Sequence, residues 1–111
     1  MGQRRDLKLI EGNPETVRET ITDDDTSLPL NLTGKVINFY IKPNADTADT
    51  ALTVTKLSTS TGEITITDAT GGVCTVAVPA QQAGTLWRRL DVVTAGQPKT
   101  AVYGPLYVLN V

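Results

Sequence analysis

The side chains able to do chemistry are few, and their spacing gives little support to catalysis. There is no histidine, which removes the commonest general base and most transition-metal sites together. The one cysteine, Cys74, shares an apolar alternation with Val76 and Val78. With no imidazole to activate it, it reads as a buried, inert thiol. Asp23-Asp24-Asp25 could offer oxygen ligands to a hard cation such as Ca²⁺. The run lacks the acid-x-acid spacing and closing glutamate of a calcium loop, so a solvated turn is the expectation. Gly71-Gly72 does not open a helix after a strand, so it reads as a hairpin rather than a phosphate cradle. Asn31-Leu32-Thr33 matches a glycosylation sequon, but no export signal accompanies it. Paired carboxylates for sugar hydrolysis need a cleft, and no loop is long enough to build one. The expectation is a non-enzyme without cofactor or metal.

Contact chemistry is better represented. Trp87-Arg88-Arg89 combines the two residue types that dominate protein–protein hot spots, because they bury large area and donate several hydrogen bonds. The bland alternative is a tryptophan packed at a sheet margin beside two solvated arginines. Tyr103, Tyr107 and Leu109 add apolar area to the outward side of the last strand, which another protein would cover. The segment from Gly2 to Leu9, with Leu7 and Leu9 as its apolar members, is short and strand-like. Such a segment can add itself to a neighbour's open sheet edge.

The elements that must position these residues read as strands. The stretch Leu30 to Lys42 begins at the turn signal Leu32-Thr33-Gly34 and then alternates strictly. Ile37, Phe39 and Ile41 point one way; Val36, Asn38, Tyr40 and Lys42 point the other. That period of two marks a strand with one dry face, and it is expected to be the central strand. Threonine and valine are common and no 3.6-residue pattern is sustained, which suits pleated strands rather than helices. Only Pro79 to Gly84 could form a single helical turn.

Further strands are expected at Asp6–Ile10, Glu15–Thr22, Ala51–Leu57, Gly62–Thr67, Val73–Val78, Thr85–Val93 and Ala101–Val111, the last interrupted at Gly104-Pro105. In Thr85–Val93, Leu86, Leu90 and Val92 face in, with Trp87, Arg89 and Asp91 out. Glu19 falls on the apolar side of its strand, which suggests an edge position or a strand end. Seven or eight short strands with regular turn signals form a single antiparallel β-sandwich, an all-β fold.

The chain's 111 residues suit one domain. Residues 1–12 form an N-terminal arm or first strand, and 13–111 the sandwich. A net charge of −2, with acids and bases well mixed, excludes the basic stripe of a nucleic-acid binder. No apolar run is long enough for a membrane helix. The start lacks a secretory leader, and a single cysteine suits a reducing cytoplasm.

Three stretches together resemble a known family: Leu32-Thr33-Gly34 with Val36-Ile37-Asn38-Phe39-Tyr40-Ile41; Gly62 through Val73; and Ala83-Gly84-Thr85-Leu86-Trp87-Arg88-Arg89-Leu90-Asp91-Val92. The pattern resembles the immunoglobulin-like N-terminal domain of phage baseplate upper proteins and related small tailed-phage virion proteins, over roughly residues 13 to 111. It departs where the family shows an aromatic after the Gly-Thr pair, since this chain has Leu86 with Trp87 displaced by one. The resemblance implies an immunoglobulin-like sandwich and a structural component of a tailed-phage virion, made in the host cytoplasm. A tail or baseplate location is expected, with capsid decoration as the alternative. Its partners would be other virion proteins, with the chain present as a homo-oligomer or in many copies, and neither nucleic acid nor membrane bound. A carbohydrate-binding module for host-surface glycans is a further alternative, set back by having only five aromatic residues scattered along the sequence.

Overall fold

The structure is a computed structural model that describes residues 3–23 and 25–110. It is all-β, with two packed sheets. The strands are β1 (Gln3–Arg4), β2 (Leu7–Ile10), β3 (Glu15–Thr20), β4 (Val36–Lys42), β5 (Thr55–Ser58), β6 (Ile64–Asp68), β7 (Val73–Val78), β8 (Gly84–Thr94) and β9 (Gln97–Leu109). The larger sheet runs β1-β9-β8-β4-β5, with β2 following β1 along the same side of β9. The smaller sheet runs β3-β7-β6. Pairing is antiparallel except where β1 and β2 lie parallel to β9. Among the described residues no helix is long and apolar enough to cross a membrane.

The alternation in β4 works as expected on its inner side: Ile37, Phe39 and Ile41 are all buried in the space between the sheets. Leu57, Leu90, Val92, Val102, Leu106 and Val108 join them from the same sheet. Val17, Ile64, Cys74, Val76 and Val78 close the core from the smaller one. Removing this apolar surface from water is the main drive holding the layers together. The middle of the larger sheet is β8 rather than β4, because β9 carries the arm on its far side.

Other boundaries also move. The expected strand at Ala51–Leu57 is confined to Thr55–Ser58, and 43–54 is a loop lying outside the sheet. Pro79 to Gly84 holds no helical turn. Gly104-Pro105 does not break the last strand: β9 continues through it, with Pro105 opposite Trp87 and Gly104 opposite Arg88. Proline is tolerated here because its missing donor falls where the arm runs past. The irregularity lies instead at a register shift between Leu90 and Asp91. β8 and β9 are joined through Ala95-Gly96, both at positive φ (50° and 79°), the geometry of a two-residue turn that matches strand twist.

The arm forms one edge of the chain's own larger sheet. Leu7 pairs with Leu106 and Leu9 with Val108, so both leucines turn inward, and Leu9 is buried. The expectation that Leu7 and Leu9 serve a neighbour's edge is therefore corrected: the arm pairs with the chain's own β9, and both side chains pack on its own core. Gly104 makes the arrangement possible. Its φ of 152° is strained for any other residue, and a Cβ there would meet the Arg5 carbonyl oxygen at 2.3 Å. Arg5 N–H in turn donates to the Tyr103 carbonyl at 2.9 Å.

Candidate functional site

Period-two alternation along β8 sends the three residues of Trp87-Arg88-Arg89 to two different places. Arg88 belongs to the inner face, where it is almost fully buried. The expectation that it contributes to a surface is overturned by that parity. Its Nη1 pairs with the Glu19 carboxylate of β3, across the interior, and Nη2 donates to the Arg5 carbonyl at 3.2 Å. Its Nε has no partner among the described residues. Glu19 is also buried, opposite Cys74, and as expected it lies on an edge strand of its sheet, one residue before the end of β3. Burial pushes the Glu19 carboxyl up, with Arg88 opposing; burial likewise lowers Arg88, with Glu19 opposing. The Cys74 thiol is pushed up to about 12 by burial and by the Glu19 charge, which leaves it without thiolate near neutral pH.

Trp87 and Arg89 lie on the outer face of the larger sheet, and there the structure assembles what the sequence keeps apart. Tyr40, Trp87, Tyr103 and Tyr107 stand on that one face, and Phe39 is the aromatic that remains inside. The register sets them in rows. Lys56, Tyr40, Arg89, Tyr103 and Arg4 succeed one another across five strands, so cation and ring alternate. Lys42, Trp87 and Pro105 form the next row. Beyond it Thr85, Tyr107 and Lys8 form a third. The Trp87 and Tyr103 rings are 6.1 Å apart between centroids and tilted by 33°. Leu109, 42% exposed, lies near the end of the same side of β9.

Arg89 knits this face together. It donates from Nη1 and Nη2 to Asp49 at 3.1 and 2.6 Å, and from Nε and Nη2 to Asp91, both at 3.0 Å. Its guanidinium also lies over the Tyr40 ring, 4.6 Å from the centroid, an attractive arrangement for a cation and a π face. Asp91 accepts a further hydrogen bond from Thr100 Oγ at 3.1 Å. Asp49 reaches down from the 43–54 loop and pairs with Lys42 as well. Lys42 Nζ donates to the Thr47 carbonyl of the same loop at 2.8 Å. The hydrogen bond from Arg89 and the Lys42 ammonium outweigh burial and hold the Asp49 carboxyl down at about 2. Burial works against the Arg89 charge, but Asp49 and Asp91 together raise its pKa.

Tyr40 and Lys42, expected on a wet face, are thus buried beneath Arg89 and the loop. Below them a shallow hollow of about 320 Å³ is lined by Val36, Asn38, Lys56, Ser58, Ser60, Thr61 and Val93.

The acidic turn does other work. Asp23 Oδ1 accepts from the backbone N–H groups of Asp25 (2.8 Å) and Thr26 (3.3 Å), as in a side-chain-mimicked turn. Asp24, Gly2 and Val111 lie outside the described residues. Among the described residues no group of three acidic, cysteine or histidine side chains converges as a metal site.

Sequence reasoning identified Trp87, Arg89, Tyr103, Tyr107 and Leu109 as contact candidates and placed Tyr40 on the outward side of β4, but missed Arg4, Lys8, Lys56 and Asp49. Parity alone gave Tyr40 its side of the sheet. The row that joins it to Arg89 and Tyr103 needs the register, which lies outside any one strand. Compared with known proteins, the sequence matches no family model and no curated protein.

Proposed function

We propose that this chain is a structural, non-catalytic module that makes protein–protein contacts, as a component of a tailed-phage virion. The strand order, with one sheet of β1/β2-β9-β8-β4-β5 against β3-β7-β6, is compatible with the immunoglobulin-like sandwich that the family resemblance implies. A tail or baseplate position follows that resemblance, and capsid decoration is the alternative within the same class. The supporting observation is the gathering of Trp87, Tyr103 and Tyr107 on one outer sheet face, beside Tyr40, which Arg89 and the 43–54 loop cover. Aromatic side chains supply large contact area at low entropic cost, which is why they concentrate in interfaces rather than on idle surfaces.

The glycan-binding alternative is less well served. Trp87 and Tyr103 are tilted against each other, and the Tyr40 face is occupied by Arg89, so no flat platform for a sugar ring results. Mass spectrometry of purified particles tests the proposal. The chain should be present in wild-type particles and depleted from those made with Trp87→Ala/Tyr103→Ala, although that variant remains folded. Particles lacking the wild-type chain would refute the virion role.

A further inference from the structure

We infer that the outer face of the larger sheet receives an acidic segment of a partner protein, its apolar side chains on Trp87 and Tyr103 and its carboxylates at Arg4, Lys8 and Lys56. This inference rests on the contact-module reading and adds the chemistry of the partner. Charge carries it. Five cations belong to this face, Arg4, Lys8, Lys42, Lys56 and Arg89, and three carboxylates: Asp49, Asp91 and the exposed Asp6, which lies between Arg4 and Lys8 on the arm. Five minus three leaves +2, on a chain whose net charge is −2.

The surplus is not spread evenly. Asp49 and Asp91 are engaged by Lys42 and Arg89, the two cations tucked against the sheet. Arg4, Lys8 and Lys56 remain, all exposed, and each stands opposite a tyrosine: Tyr103, Tyr107 and Tyr40 respectively. A half-buried aromatic centre flanked by solvated cations is the complement of an apolar anchor flanked by acids. Charges placed in this way steer encounter and fix register, while the rings provide the contact energy. The Trp87 and Tyr103 rings, 6.1 Å apart between centroids, pack as one aromatic pair, and their 33° tilt offers an apolar contact patch rather than a flat platform for a base or a sugar.

Trp87 is the sole tryptophan, so its emission reports on this face alone. The test titrates the intact chain with a random glutamate–tyrosine copolypeptide, exciting tryptophan selectively. Polyglutamate, heparin and a thymidine oligonucleotide serve as the comparison probes. The copolypeptide should change Trp87 emission saturably at low salt, bind more tightly than any of the three comparison probes, and weaken as salt is added. Arg4→Gln/Lys8→Gln/Lys56→Gln should weaken it roughly tenfold or more, as expected for three exposed charge contacts. That variant removes charges only at exposed positions, and its unchanged circular dichroism would confirm folding. The inference is overturned if the copolypeptide leaves Trp87 unaffected, or if the neutralised variant binds as well as wild type. Heparin or the oligonucleotide binding as tightly would overturn it in favour of a general polyanion site. Particles that contain the chain while the copolypeptide fails to bind would discard the acidic partner and keep the contact module.

Discussion

Arg88 and Arg89 are neighbours in sequence and inhabit opposite worlds. Arg88 points between the sheets, where its guanidinium meets Glu19 and the Arg5 carbonyl with water excluded. Arg89 points outward, where two carboxylates and a tyrosine ring hold it at a partly exposed surface. The same side chain therefore carries different consequences. Inside, desolvation of both ions is large and the pairing serves mainly to offset it, so losing one partner strands the other. Outside, Asp49 and Arg89 keep contact with solvent, which screens their pairing, so that contact orders a surface more than it stabilises a fold. The inner pair bears on folding and the outer network on contact.

The largest effect should come from separating the inner pair. Arg88→Met leaves the Glu19 carboxylate buried without a counter-ion, and chemical denaturation should show a loss of about 3–5 kcal/mol. Arg88→Met/Glu19→Leu should recover most of it, because an apolar pair of similar size has no ion to desolvate. A double variant no more stable than Arg88→Met would mean that the pair is net stabilising in its own right.

Acidity sharpens the same contrast. In Arg88→Met, burial raises the Glu19 carboxyl in the folded state above its unfolded value, with nothing left to oppose it. A raised folded pKa means that the folded state gains protons first. The stability that protonation restores is therefore fully present below the unfolded value of 4.5 and lost as pH rises through the folded pKa. The single variant should accordingly close part of its gap to wild type on acidification.

An intermediate effect should follow Gly104→Ala. The Cβ would collide with the Arg5 carbonyl at a φ unfavourable to alanine, a strain of about 1–3 kcal/mol. Hydrogen exchange should show the loss first in the β2 amides, because the arm can lift from β9 while the rest of the sandwich persists. Uniform loss of protection across all strands would mean that the arm is not separable.

The smallest effect belongs to the outer network. Asp49→Asn should change stability by less than about 1 kcal/mol, and added salt should shrink the difference. Its carboxyl is held down at about 2 in the fold against an ordinary 3.8. A depressed folded pKa contributes stability that is present above pH 3.8 and lost as pH falls toward 2. Wild type and variant should therefore converge near pH 2 in parallel acid titrations.

Much of this was legible in the sequence because a dry face imposes a period of two. Ile37, Phe39 and Ile41 announce β4, and Cys74, Val76 and Val78 announce β7, without reference to any other strand. The same rule applied to Arg88 and Glu19 would have placed an opposite pair of charges inside, but the motif Trp87-Arg88-Arg89 invites reading as one surface unit. The continuity of β9 was hidden because glycine and proline ordinarily end strands. Here Gly104 is required by the close approach of Arg5, a contact between residues distant in sequence. The row Lys56–Tyr40–Arg89–Tyr103–Arg4 was invisible for a related reason: it exists only once five strands have taken their register.

The most direct test of the contact face is carbodiimide cross-linking of the particle that contains the chain, read by mass spectrometry. This reagent joins a lysine to a carboxylate only where the two already touch. The account predicts that Lys8 or Lys56 is found joined to an aspartate or glutamate of another protein. Links to other proteins formed through Lys35 and Lys99, with Lys8 and Lys56 unmodified by any partner, would contradict it.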